Sequence, residues 1–279
     1  MEELQNEALS VDALLLARGY LYALFGKAFS GEPDGALVQT LSDANTLDAL
    51  EEYTGESGAL GELRDYLRGL SAFVGDEAAI DRARSEFTRV FIGPATLPAL
   101  CWGSPYESND PALFQKGTLE VREAYERSGL VPSRMLHVPD DHIALECNFM
   151  AEMGRRCATL FEAGQIDALA ESIKAQKSFL DRHMLDWIPL YASGLERSGK
   201  ALFYSRLASG IAELVRLDST LLGEVLFWLE AGKSESSLSG LSQAMKNCTE
   251  TLPEFRSAIE HVLKLSPKFS EEYALVAIA

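Results

Sequence analysis

The sequence predicts an all-α fold, and three observations predict it. Apolar residues recur at intervals of three and four along most of the chain, alternating period-two stretches bounded by turn signals are scarce, and Gly, Pro and Ser fall mainly between the periodic segments. Taken in order, Leu14, Ala17, Leu21, Leu24 and Ala28 form one buried helix face, and Ile80, Ala83, Phe87 and Val90 form another. Further helical patterns run through 56–70, 111–127, 139–162, 166–193 and 200–217. The stretch from Ile92 to Pro111 is the exception: four prolines and two glycines make it a long irregular loop, and Trp102 and Tyr106 mark it as an ordered surface. Residues 219–279 are weakly periodic, with a linker-like patch at 232–237, and read as a C-terminal helical extension.

Composition bounds the function. At 279 residues, 47% hydrophobic and 24% charged, the chain can bury a full core. The apolar runs Val11–Ala17 and Leu221–Leu229 are interrupted by Asp12, Gly223 and Glu224, so no transmembrane helix and no direct membrane insertion are expected. The start Met-Glu-Glu-Leu lacks the basic and apolar regions of a secretory signal, which places the chain in the cytoplasm. Cys101, Cys147, Cys157 and Cys248 form no CxxC pair and read as free thiols. A net charge of −17 argues against nucleic-acid binding and for solubility or a basic partner.

In Val138-Pro139-Asp140-Asp141-His142 a proline and two acids open a helix, so a pure capping role stands as an alternative to a functional one. Beyond it Ile143, Cys147, Met150, Gly154, Cys157 and Phe161 share one stripe, and His142, Glu146, Phe149 and Met153 the next. His142 and Glu146 are four apart, but a zinc site needs a third ligand, so no metal is expected. An enzyme reading is a metal- or nucleotide-dependent hydrolase centred on Asp141, His142 and Glu146, yet the chain offers no nucleophile elbow, Gly-rich phosphate loop or Walker lysine. A third reading is a helical adaptor in which Trp102 and Tyr106 plug the core. His183 reads as a packing residue beside Leu180, Met184, Trp187 and Tyr191.

Three segments in this order carry a resemblance. They are Glu86-Phe87-Thr88-Arg89-Val90-Phe91-Ile92-Gly93-Pro94 continuing to Trp102-Gly103-Ser104-Pro105-Tyr106-Glu107-Ser108; Pro139-Asp140-Asp141-His142-Ile143-Ala144-Leu145-Glu146 with Phe149-Met150; and Phe179-Leu180 through His183 to Trp187-Ile188-Pro189, then Phe203-Tyr204. Together they resemble the TorD/DmsD family of redox-enzyme maturation chaperones, to which NarJ is related. The resemblance implies a single-domain bundle of about ten helices over 1–218, no catalysis, and no cofactor other than GTP. It also implies a partner: the precursor of a dimethyl-sulfoxide-reductase-type molybdoenzyme catalytic subunit with its twin-arginine signal peptide, held for cofactor insertion before export. A client that is not exported is the runner-up, and a homodimer by exchange of elements is compatible with such a chain. The family's Glu-Pro-x-Asp-His motif falls on Pro139, Asp141 and His142, in a first helical turn whose side chains can face solvent, with Val138 standing where the family has glutamate. Carboxylates at Asp141, Glu146 and Glu107 would then meet arginine, beside Trp102, Gly103, Ser104, Tyr106 and Phe149 as the wall and anchors of an apolar groove.

Overall fold

The computed structural model describes residues 2–55, 57–93, 95–108, 116–232, 238–247 and 253–278, and among these the chain forms thirteen α-helices and one two-stranded sheet. The centre is a pair of long helices, α1 (Glu2–Ser30) and α8 (Ile143–Glu162). Their backbones touch where both present glycine: a Cβ on Gly154 would lie 3.2 Å from Gly19 Cα, so only glycine lets the pair close this far. Around the pair lie α2 (Gly35–Leu41), α3 (Ala44–Thr54) and α4 (Gly58–Leu70), each opened by a side-chain cap, Asp34, Asp43 and Ser57 respectively. Then come α5 (Glu77–Phe87), the short α6 (Ser104–Ser108) and α7 (Lys116–Arg127), followed after α8 by α9 (Ile166–Phe179), α10 (Ile188–Ser198) and α11 (Leu202–Ala231).

The all-α expectation holds, and of the described α-helices eleven begin within residues 1–218, where about ten were expected. The pattern read across 166–193 is two helices, because a π-helical turn at Leu180–Met184 ends α9 and Pro189 sits in the first turn of α10. The helix expected from Pro139 starts at Ile143, since His142 is extended and caps it. The irregular stretch after Ile92 contains α6, while Pro94, residues 109–115, most of the 232–237 patch and Cys248 lie outside the described residues.

The expected division after Asp218 falls inside the continuous α11, and that residue ties the centre of the molecule together. Arg18 on α1 gives Asp218 two bonds of 2.7 and 2.8 Å and Gln176 a third of 2.7 Å, all three side chains fully buried. By length and composition alone, helix α1 could cross a membrane. It is instead a core helix, mostly buried by protein and carrying the buried Asp12 and Arg18. The C-terminal extension is helical only in part. α12 (Leu238–Asn247) and α13 (Pro253–Lys264) pack on α1, after which the chain turns extended and pairs strand β2 (Leu275–Ala277) antiparallel to β1 (Leu130–Pro132).

Candidate functional site

The three recognisable segments converge at the start of α8. Cys101–Gly103 zips against Asp141–Ile143 in an antiparallel bridge between Trp102 and His142, with Gly103 N–H donating to Asp141 O at 3.0 Å and Ile143 N–H to Cys101 O at 2.9 Å. Gly103 is glycine because Trp187, from the third segment, lies over it: a Cβ there would be 3.1 Å from the indole ring. Tyr106 packs at a tilt beside Trp187, ring centroids 5.7 Å apart, and donates its hydroxyl to Leu100 O. The first and third segments meet again where Glu86 accepts backbone N–H bonds from Leu202, Phe203 and Tyr204, capping a helix whose own N-cap, Ala201, has no side-chain oxygen.

The charged groups then separate into buried and open ones. Asp141 is 2% exposed and its carboxylate accepts from the Ser104 N–H at 2.6 Å, the Ser104 hydroxyl and the Thr118 hydroxyl at 3.0 Å. The expectation that it faces solvent from a first helical turn is therefore overturned: it is an internal clamp between α6, α7 and α8. Asp140, also buried, takes a forked bond from Arg122, but burial outweighs that pairing and raises its carboxyl. His142 is 4% exposed: its Nδ1 accepts the Ala144 N–H at 3.1 Å, which puts the ring proton on Nε2, 3.1 Å from Cys101 Sγ. Burial lowers His142 to about 3 and pushes the Cys101 thiol up to about 12, so this is a neutral pair rather than an activated nucleophile. Tyr273 covers the His142 ring at 4.7 Å.

Glu146 is fully buried and neither carboxyl oxygen has a partner; burial first, and then the neighbouring Asp141, raise it well above the usual carboxylate range. The Trp187 indole N–H lies near enough to favour the charged form, but its 2.7 Å bond goes to the His183 carbonyl. Phe149, expected as a client anchor, is instead core, packed at 4.9 Å on Tyr125 and 4.4 Å on Phe179. Pro139 is buried in the turn that presents its carbonyl to the His142 N–H. Trp102 and Tyr106 are half-buried, and the Trp102 indole N–H is buried without a partner.

The open acid is Glu107, whose carboxylate lies over Gly117, where a Cβ would be 2.6 Å away. Its carboxyl is raised by partial burial, then by Asp141, Glu120 and Asp186, with Lys116 acting the other way. Lys116 is itself paired with Glu120 at 3.2 Å. Sequence reasoning missed Glu120 and Asp186, because neither lies in a recognisable segment. It also missed Thr118 and Tyr273; the small Gly117-Thr118 pair within a polar helix was the one available signal. Among the described residues no three His, Cys, Asp or Glu side chains converge closely enough for a metal ion.

The family described as nitrate reductase delta subunit matches residues 49–193, which contain all three clamped segments up to Pro189. The chain is also similar to curated proteins called chaperone protein TorD. That of Vibrio cholerae serotype O1 is 24% identical over 210 residues, covering 74% of this chain and 90% of the relative. That of Vibrio parahaemolyticus is 25% identical over 211 residues, 74% and 95%, and that of Photobacterium profundum 25% over 150 residues, 53% and 68%. No solved structure matches.

Proposed function

The chain belongs to the nitrate reductase delta subunit family, of the TorD/NarJ type of redox-enzyme maturation chaperones, and from that premise we propose that it is a non-enzymatic cytoplasmic chaperone that captures the twin-arginine leader of a molybdoenzyme catalytic-subunit precursor and holds the precursor for cofactor insertion. The observation that supports this reading is an acidic mouth centred on the exposed Glu107, whose carboxyl feels Asp141, Glu120 and Asp186, with Glu120 paired in turn to Lys116 at 3.2 Å. Like charges held together raise one another's carboxyls and favour an arriving cation. Carboxylates too dispersed for a metal ion suit a guanidinium, which binds them through planar paired N–H groups. The exposed Leu119, next to Glu120 on α7, and Leu190, just after Asp186 on α10, with the half-buried Trp102 and Tyr106, supply apolar contact for the leader beyond its arginines.

Guanine nucleotide is not part of this reading, since a triphosphate would meet carboxylates at the mouth. The hydrolase alternative lacks free chemistry: Asp141 is saturated by hydroxyl and amide donors, the His142 Nδ1 by a backbone N–H, and Glu146 is sealed and raised. The missing glutamate at Val138 removes one acid of the family motif, and the mouth supplies others. The test is calorimetric titration of a synthetic leader peptide with its Arg-Arg pair, and with Gln-Gln in its place, into the chain and into Glu107→Gln/Asp186→Asn. The expected result is about tenfold weaker binding for either change, about 1.4 kcal/mol, with a shallower salt dependence. Equal affinity for the Arg-Arg and Gln-Gln peptides overturns the reading.

A further inference from the structure

The end of the chain is seated in two unlike halves. From Leu265 to Ser270 it is anchored: Leu265, Pro267 and Ser270 are buried, and a Cβ on Gly31 would fall 2.6 Å from Pro267 and 2.8 Å from the Lys268 carbonyl, so the end of α1 has been left bare to receive it. The Glu32 N–H donates to that carbonyl at 3.0 Å. From Glu271 to Ile278 no residue is buried, and Val276 and Ile278 expose about half of their surface.

What holds this second half is mostly main chain. Val276 pairs with Val131, the Ser133 N–H donates to Ala274 O at 2.8 Å, and the Ile278 N–H donates to Gly129 O at 2.9 Å. The side chains that grip it are the Asn148 amide, which donates to the Tyr273 carbonyl at 2.8 Å, the Ser133 hydroxyl, which donates to the Glu271 carbonyl at 3.2 Å, His142 under the Tyr273 ring, and Arg134 with Glu271 and Glu272. Asn148 projects from α8 against α1, where Gly26 leaves it room. A two-stranded sheet three residues long is marginal by itself. Recognition through main-chain bonds and one ring position accepts any extended segment that brings an aromatic residue to the same place.

We propose that the edge of β1, with His142 and Asn148, is a peptide-accepting surface which residues 271–278 fill in cis and which an extended apolar segment of a client, carrying one aromatic residue in the place of Tyr273, takes over by displacing them. The exchange replaces the Tyr273 ring over His142, a buried motif residue, with an aromatic ring of the client. It involves a different strip from the acidic mouth and does not depend on leader capture there.

The test uses the full-length chain and a fluorescent synthetic peptide of its own residues 271–279 as probe. A filled strip lowers the apparent affinity of a competing strand by the fraction of molecules that are open. Tyr273→Ala, which loosens the cis strand, should therefore bind the probe about tenfold more tightly than the unaltered chain. Val131→Cys/Val276→Cys, which joins register partners, should refuse the probe when oxidised and accept it as the unaltered chain does when reduced. A probe with proline in place of its valine should not bind any form. The proposal is overturned by equal binding to the oxidised and reduced lock, or by absent binding to a Tyr273→Ala chain whose circular dichroism matches the parent.

Discussion

Arg18 and Glu146 are both sealed from water on the central helix pair, one on α1 and the other on α8, and the fold treats them in opposite ways. Arg18 has a carboxylate and an amide oxygen placed around it, so its burial is compensated bond for bond. Glu146 has no partner for either oxygen and lies under the acidic mouth, next to Asp141. The first arrangement joins α1, α9 and α11 and has no further chemistry to offer. The second leaves a desolvation penalty standing beside the cluster to which we assign binding, the pattern expected where local stability is given up for a site.

The comparison breaks most visibly at Asp218. Replacing it with alanine strands a buried guanidinium and should lower the unfolding free energy by about 3 to 5 kcal/mol, read by urea denaturation. Arg18→Met/Asp218→Leu should recover most of that loss and leave leader affinity unchanged; lost affinity in a folded double variant would show the pair to be more than structural. The next effect is at Asp141, where Asp141→Asn weakens a carboxylate's bonds to three donors and should cost about 1.5 to 3 kcal/mol. A melting temperature equal to the parent's would return Asp141 to the open surface that its place in the sequence suggests.

Glu146 sharpens the contrast by its opposite sign. Glu146→Met removes an unsatisfied buried carboxyl and should stabilise the chain by about 1 to 3 kcal/mol at neutral pH. Because folding raises this carboxyl above 4.5, its contribution is fully present below that pH and is lost as pH rises toward the folded value. Glu146→Gln should therefore flatten stability on the alkaline side. His142 runs the other way: lowered from 6.5 to about 3, it contributes stability that is present above 6.5 and lost as pH falls toward 3. Unfolding free energies measured as pH rises through 4.5 and then 6.5 should separate the two slopes, since His142 adds stability over that interval while Glu146 loses it. The smallest stability effect belongs to Glu107→Gln/Asp186→Asn, within about 0.5 kcal/mol, since these acids lie toward solvent; only binding should change.

Much of the fold is legible in the residues alone. The stripes at Leu14 to Ala28 and Ile80 to Val90 are buried almost as their spacing requires, and Cys147 and Cys157 are core thiols. The candidate site is legible as a place more than as a set of roles. Trp102, Gly103 and Ser104 do meet Asp141 and His142, but Asp141, His142, Glu146 and Phe149 lie inside. A Pro-Asp-Asp-His start is equally consistent with a solvent-facing first turn and with an interior clamp, and the deciding donors, Ser104 and Thr118, are 37 and 23 residues away.

The helical period, the capping acids and the order of three short segments are local properties, and the sequence by itself determined from them an all-α chaperone of the family now matched. Which carboxylates remain available to a cation, and which are consumed by the fold, only the tertiary structure decided. Desolvation and hydrogen bonding depend on neighbours distant in sequence: Asp218 on Arg18, 200 residues away, Glu107 on Glu120 and Asp186, and His142 on a tyrosine near the end of the chain.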